Sequence, residues 1–380
     1  MSLFCIFLLS ISILGFTIIK RRNFSNRPPS PPKLPFIGNL HQISSNPHQS
    51  LYSLSRKYGP LMLLHFAQVP WLIVSSSDMA CAVMRTHDLI FATRPSAVIA
   101  EILRFRDMAF EPYGEDWRQL KKIFTLHLMN TKKIASYSTI REEQVGNLIA
   151  KISNQASVSS GNPIELSKFL FSFMIDDAFA AGVDTTFLTI EWAMSELIKN
   201  PKCMKKLQEE VRSIAKHGDM VRSEELDQMS YLKAVIKESL RLHPPGTLLP
   251  REAMDECEIN GFIIPKGTKL LVNAWAIGRE AKSWDMPEEF RPERFIGSQV
   301  DYKGNDFQFI PFGAGRRICP GILFGSAMVE LALANLVYRF DWELPSGMTR
   351  EEFNMGDSPG FTVHRKDDLQ LVVKDVHTSY

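Results

Sequence analysis

One of the five cysteines stands in a different setting from the others. It lies in the run Phe309 to Gly321, FIPFGAGRRICPG, where Gly313 and Gly315 permit a tight backbone path. Cys319 comes immediately before Pro320, a residue favoured at the first position of a helix. A cysteine placed there meets the positive end of the helix, which favours the thiolate and so a metal-ligating sulfur. No His, Cys or acid lies at metal-ligand spacing from it, so this thiolate cannot hold bare zinc. It can serve as the axial ligand of a haem, whose equatorial bonds come from the macrocycle, with Arg317 two residues earlier able to meet a propionate. A buried, inert cysteine at a helix start is the competing reading.

Other residues carry chemistry only in combination. Glu238 and Arg241, within KESLRLHPP, share one helix face and can pair, but alone such a pair is a surface salt bridge worth under about 1 kcal/mol. Ala181-Gly182-Val183-Asp184-Thr185-Thr186 collects poor helix formers inside an apolar helix, where glycine alone costs about 1 kcal/mol relative to alanine. Ala181 and Thr185 lie one turn apart and make a notch beside a hydroxyl; plain helix packing would use the same notch. Gly356-Asp357-Ser358-Pro359-Gly360 fits the nucleophile elbow of the α/β hydrolases, yet Pro359 has no N–H for an oxyanion hole and FTVHRKDDLQLVV reads as strand. Gly313-x-Gly315 begins a dinucleotide fingerprint that Ile318 breaks, so no Rossmann site follows.

Taken together, Phe312-x-x-Gly315-x-Arg317-x-Cys319-x-Gly321 is similar to the haem-binding signature of the cytochrome P450 family in its microsomal plant form. Further matches follow in the family's order. Glu238-x-x-Arg241 and Pro292-Glu293-Arg294-Phe295 resemble the parts of a buried ion triad, with Arg294 as the third member, that holds the cysteine loop in place. Ala181 to Thr186 resembles the oxygen-binding notch, with Ala181 and Gly182 beside the cofactor and with Thr185 and Asp184 as the proton-delivery pair for cleavage of the O–O bond. Trp117-x-x-x-Lys121 resembles a propionate-binding pair in which the family more often carries arginine; lysine keeps the charge and loses the bidentate fork. Arg251, in LLPRE, matches another propionate-binding arginine, and Phe312 and Gly313 lie in the haem-contacting stretch. The resemblance implies haem b, held by Cys319, and NADPH- and O₂-dependent hydroxylation of a small hydrophobic metabolite. It also implies a docking face for the acidic FMN domain of NADPH–cytochrome P450 reductase, formed by Lys121, Lys122, Lys132, Lys133 and Arg316. An oxygen-independent dehydratase or isomerase would use the same ligand.

The elements that must position these residues read as mainly helical with a smaller strand region, α+β by class, and the resemblance implies a cytochrome P450-like fold. Strands are expected over Leu61 to Phe66 and Trp71 to Val74, with a hairpin turn at Asn260-Gly261. Helices are expected over Ser77 to Val83, Glu115 to Leu128, Ser172 to Lys199, Met204 to Lys216, Tyr231 to Leu242 and Pro320 to Phe340, with strand-like alternation over Phe361 to Val373. Residues around Pro95 to Glu111, Leu248, Leu249 and Phe361 are expected to line a pocket.

Only 68 positions separate Trp117 from Thr185, about a hundred fewer than the resemblance implies. The expected deletion lies near residue 173, where NPIELSKFLFS runs straight into FMIDDAFAAG. It removes the middle helices that roof the pocket and would leave the apolar face of the oxygen helix uncovered. A truncated, non-catalytic haem-binding remnant is therefore a reading from a different class.

At the N-terminus, Leu3 to Ile19 is an uncharged run of about 25 Å as a helix, close to the roughly 30 Å bilayer core. Lys20, Arg21 and Arg22 follow it, and no small-residue cleavage site does, which opposes a cleaved signal peptide. The positive-inside rule places the body in the cytosol, facing out from the endoplasmic reticulum membrane, and leaves the Asn23 glycosylation sequon unused. The expected organisation is an anchor over 1–20, a basic and proline-rich spacer over 21–36, and a haem-binding catalytic domain over 37–380. Across 380 residues, 44 Lys and Arg against 42 Asp and Glu exclude a nucleic-acid binder of the strongly basic kind. Five scattered cysteines exclude a disulfide scaffold and favour a reducing compartment.

Overall fold

The computed structural model describes residues 27–96, 108–159, 161–175, 180–215, 218–358, 360 and 362–376, with the side chains of 175 and 180–183 outside that description. The apolar run Leu3 to Ile19 with its basic flank, most of the stretch Pro95 to Glu111, Pro359 and Phe361 lie outside the described residues.

The largest of three hydrophobic clusters among the described residues is helical. Helices α1 (Pro47–Tyr58), α2 (Glu115–Ile123), α3 (Ser138–Ser159), α4 (Leu166–Ile175), α5 (Ala180–Lys199), α6 (Pro201–Ile214), α7 (Ser230–Leu242) and α8 (Ile322–Arg339) carry most of the chain. Leu148 and Ile152 of α3, Leu170 of α4, Leu188 and Trp192 of α5, Leu207 of α6, Leu232 of α7 and Leu333 of α8 meet in one cluster, all within 1% of full burial. Burying each such side chain contributes about 1.5–3 kcal/mol, so this cluster dominates the folding energy.

The second core lies under a four-stranded sheet built from β1 (Leu61–Phe66), β2 (Val69–Val74), β4 (Leu248–Glu252) and β7 (Lys269–Asn273) in the order β1-β2-β7-β4. The β2–β7 pair is parallel and the other two are antiparallel. Between β4 and β7, β5 (Cys257–Ile259) and β6 (Phe262–Ile264) form a hairpin whose turn has Asn260 at φ 50° and Gly261 at φ 80°. Both angles are left-handed, as a two-residue hairpin turn demands, and Asn-Gly is the pair that tolerates them. A three-stranded sheet joins β3 (Ile164–Glu165), β8 (Phe340–Glu343) and β11 (Gln370–Asp375), and a short ladder joins β9 (Asp357–Ser358) to β10 (His364–Arg365).

Several expected elements take a different form. The single helix expected over Ser172 to Lys199 is two helices, α4 and α5, that run antiparallel. Ser167 Oγ donates to Glu191 Oε1, and the rings of Phe171 and Phe187 lie 6.0 Å apart, so contacts step inward along both helices towards residue 179. Apolar periodicity continues through such a reversal and does not mark it; Asp176-Asp177 is the one polar interruption in the sequence there. Against the expectation of an uncovered oxygen helix, every residue from Thr186 to Ile198 is buried, while Asp184 and Thr185 at the notch are half-buried.

Elsewhere, Pro320 lies in a turn before α8, and Phe340 starts β8 rather than ending the helix. The expected final strand splits into β10 and β11, and the helix expected to reach Leu128 widens into a π-helical turn over Phe124–Leu128. The proline run is not a free spacer: Pro28 and Pro31 are buried, Leu63 N–H donates to the Pro29 carbonyl at 2.8 Å, and Asn39 Nδ2 donates to the Pro32 carbonyl at 3.2 Å. Prolines offer free carbonyls, and the edge of β1 with Asn39 uses them.

Candidate active site

Cys319 hangs from a loop closed by its own backbone. Its N–H donates to the Phe312 carbonyl at 3.0 Å, and Gly313 N–H donates to the Ile310 carbonyl at 3.0 Å. Gly313 sits at φ 72° and Gly315 at φ 67°, a region that strains any residue with a Cβ. A Cβ on Gly315 would also fall 2.4 Å from both the Met84 carbonyl and Asp88 Oδ1. Asp88 accepts the Arg316 N–H at 2.9 Å, so the loop is docked on the segment that follows the helix Ser77–Cys81.

Helix α8 begins at Ile322, and its N-cap residue Gly321 turns its N–H towards Cys319. Burial pushes its thiol up, and the Gly321 N–H, Arg94 and Lys121 pull it back towards the thiolate.

Around this loop the fold gathers cations. Arg251, on β4, is 3% exposed and donates to the Pro250 carbonyl at 2.8 Å. Burial, with Arg94 and Arg317 nearby, lowers it to about 9. Among the described residues no carboxylate reaches it within ion-pair distance. Arg317 is lowered to about 10, first by burial and then by Arg94. It donates to the Ala92 carbonyl at 2.6 Å and the Glu111 carbonyl at 2.7 Å, and its guanidinium lies 4.2 Å from the Trp117 ring centre. Arg317 thus clips the cysteine loop to the chain before α2. Lys121 donates to the Arg316 carbonyl and lies 5.1 Å from the same ring; burial, then Arg317, lowers it. Trp117 in turn donates from Nε1 to the Met108 carbonyl at 3.0 Å.

Buried cations crowded together are costly unless an anion meets them. The two propionates of a haem would supply that charge, and a free thiol beside them supplies the iron ligand, so the residues present fit that group.

Across from the loop stands α5. A Cβ on Gly325, in the first turn of α8, would lie 3.7 Å from Thr186 Oγ1, so α5 crosses α8 beside the cysteine loop at Thr185-Thr186. Thr189 Oγ1 donates to the Thr185 carbonyl at 2.8 Å. Ala181 and Gly182 lie in the helix, with their side chains outside the described residues. Asp184 accepts from Thr362 Oγ1.

Glu238, Arg241 and Arg294 form one cluster. Arg241 Nε and Nη2 meet the Glu238 carboxylate at 2.7 and 2.9 Å, and Arg294 Nε reaches Glu238 Oε1 at 2.9 Å. Glu238 and Arg241 side chains are fully buried. Arg241 also donates to the carbonyls of Gly278, Pro287 and Glu289, which ties α7 to that long loop. Phe295, next to Arg294, lies 5.1 Å from Phe309 at the start of the cysteine run.

Asp88 and Arg94 were not singled out by the sequence reading. Nothing in their spacing marks them; the Thr93–Glu252 bridge brings the neighbouring Arg94 to β4 and Arg251. Ser358, in the hydrolase-like motif, lies in β9 with no helix after it, and Asp357 accepts from Asn46, His48 and Gln49. Lys122, Lys132, Lys133 and Arg316 are exposed, and Lys121, next to Lys122, donates to the Arg316 carbonyl in the cysteine loop.

The cytochrome P450 family profile matches residues 28–177 and 174–371. Cytochrome P450 71A26 of Arabidopsis thaliana is 38% identical over 485 aligned residues, covering 98% of each chain. Because that alignment is longer than this 380-residue chain, more than a hundred of its positions hold no residue here. Cytochrome P450 71A1 of Persea americana is 39% identical, covering 89% of this chain and 91% of its own. Norfluorocurarine oxidase of a Strychnos species is 37% identical, covering 92% and 93%. With a cysteine loop ringed by buried cations, a profile matched over nearly the whole described length and plant relatives aligned end to end, the chain belongs to the cytochrome P450 family of haem-thiolate monooxygenases, in its plant A-type branch.

Proposed function

We propose that this chain inserts one atom of O₂ into a C–H bond of a small hydrophobic plant metabolite. The second oxygen atom leaves as water, taking two protons from solvent and two electrons from NADPH through a cytochrome P450 reductase. Cys319 would hold the iron of haem b, and Arg251 and Lys121, with Arg94 beside them, would hold its propionates. When bound, the haem supplies dioxygen activation. Phe312, Gly313 and Trp117 frame its place, Arg317 holds the loop, and Ala181 and Gly182 leave room on α5. Thr185 and Asp184 hold and pass protons there. The observation that carries this reading is the cation group of buried Arg251 and Arg317 with half-buried Lys121 around a free Cys319. The test is a reduced, CO-bound difference spectrum. The chain should give the thiolate-type band, and Cys319→Ala should lose it; an unchanged band in the variant sinks the assignment.

Residues 1–20 would anchor the body to the endoplasmic reticulum, with 37–380 in the cytosol. The uncharged run before Lys20-Arg21-Arg22 supports this. Protease added outside intact microsomes should digest the body, whereas protection or glycosylation at Asn23 would reverse the topology.

One observation favours a second reading, a haem-binding protein without turnover. The two matched blocks abut at residues 174–177, which supports a deletion of the family's middle helices. Product formed with tight electron coupling would exclude it.

A further inference from the structure

Three consecutive residues of the C-terminal segment are all fastened to α5. Thr362 donates from Oγ1 to Asp184 Oδ2. The Val363 carbonyl accepts from Trp192 Nε1 at 3.1 Å, while its N–H donates to the Pro245 carbonyl at 3.1 Å. His364 places Nε2 3.4 Å from Asp184 Oδ1, and its ring lies 6.2 Å from Phe187, one turn along the same helix. Thr362 Oγ1 and His364 Nε2 are 3.3 Å apart.

The hydroxyl has one proton, and it goes to Asp184. The Thr362 oxygen is therefore an acceptor towards His364, whose Nε2 carries a proton and reaches both the hydroxyl and the other carboxylate oxygen. Both oxygens of Asp184 are thus oriented from one side. His364 is itself held, because β10 pairs with β9 in the register His364↔Ser358 and Arg365↔Asp357, and Asp357 is gripped by Asn46, His48 and Gln49 of the α1 region. The side chains of His364 and Asp184 are 41% and 38% exposed, so the chain of polar atoms begins in water.

We propose that Thr362 and His364 are positioning residues for the proton-handling pair. They fix the Asp184 carboxylate beside Thr185 and form the hydrogen-bonded path by which Asp184 regains a proton from solvent. The path runs from water to His364 Nδ1, from His364 Nε2–H to the Thr362 hydroxyl, and from that hydroxyl to Asp184 Oδ2; the ring takes a proton on one nitrogen as it gives one up from the other, and the hydroxyl accepts one as it passes one on, so no net charge stays at Thr362 or His364. This inference rests on the reading of Thr185 and Asp184 given above.

Two measurements on the full-length chain test it. In a melting cycle of Asp184→Ala, Thr362→Val and the double variant, the second substitution should shift Tm by less than half of what it does alone, because its partner is already gone. Additive shifts would overturn the contact and the proposal with it. In the haem-loaded chain with reductase, Thr362→Val and His364→Phe should lower the share of NADPH electrons recovered in product rather than in peroxide several-fold, with the CO spectrum unchanged. Thr362→Ser should restore that share, which a merely structural role would not require. A Thr362→Val share equal to wild type would overturn the inference. A wild-type chain without the thiolate-type CO band would refute the underlying reading of the site, and the melting cycle, which needs no haem, would still judge the contact.

Discussion

Gly315 leaves no room for a side chain. Its φ of 67° and the two oxygens that a Cβ would meet at 2.4 Å act together, one through backbone strain and one through collision. A left-handed non-glycine residue costs about 1–3 kcal/mol before any clash. Gly315→Ala should therefore lower Tm by several degrees and lower haem content per chain, measured by melting and by haem extraction; an unchanged Tm would show that the loop can shift away from Met84 and Asp88. Glu191 makes a second prediction at this scale. Burial lifts its carboxyl to about 7, against the pull of the Ser167 hydroxyl and Arg365 and with Asp368 and Asp184 adding to the rise. The folded state then holds a proton that the unfolded chain, near 4.5, has released. Stability from this group is complete below about 4.5 and is lost as pH rises to about 7, a swing of at most roughly 3 kcal/mol. Glu191→Gln should flatten that slope in urea titrations at pH 5 and 8. Identical slopes for the two proteins would mean that the carboxyl is already ionised at the lower pH.

Between elements, the Glu238, Arg241 and Arg294 cluster joins α7 to the loop that leads to Phe295 and Phe309. Glu238→Gln would leave the Arg241 guanidinium buried without its counter-charge, and breaking a buried pair from one side costs about 3–5 kcal/mol. The expected result is a lower urea midpoint together with poorer haem retention, because Phe309 opens the cysteine run. A variant that loses stability but keeps haem as tightly would separate the triad from the loop. Of the elements themselves, β1, β2, α7 and the Asn260-Gly261 hairpin were legible in the sequence, since each is set by local periodicity or turn chemistry. The reversal between α4 and α5 was not, because an apolar face looks the same whether the helix continues or doubles back. The triad shows the same limit: Glu238 and Arg241 are three apart and readable, while Arg294 reaches them across 56 positions.

Over the whole molecule, Lys122, Lys132, Lys133 and Arg316 of the cysteine loop present exposed positive charge, towards which an acidic electron donor would be steered. Replacing Lys122, Lys132 and Lys133 together by Glu should cut reductase-supported electron transfer about tenfold or more at low salt, with little change in Tm. Stopped-flow reduction at two ionic strengths reads this; a rate independent of both charge and salt would move the docking face elsewhere. At the same scale, α4 and α5 both contribute to one buried helical core, so we expect folding and turnover to be separable in this chain. Restoring a homologous middle segment between α4 and α5 should raise coupled product formation far more than it raises Tm.

The sequence by itself determined the family, the α+β class, the sulfur that would take the iron and the glycines that let its loop turn, because each rests on residues within a few positions of one another. Tertiary structure alone added Arg94 to the cations near Cys319, and it brings Arg94, Lys121, Arg251 and Arg317 together from four separate segments. It also decided that Arg317 grips backbone carbonyls across more than 200 positions and that Asp184 is held by Thr362 from 178 positions away. Local spacing carries backbone geometry and short-range pairing; the charge and hydrogen-bond partners of a buried group depend on what the rest of the chain packs against it.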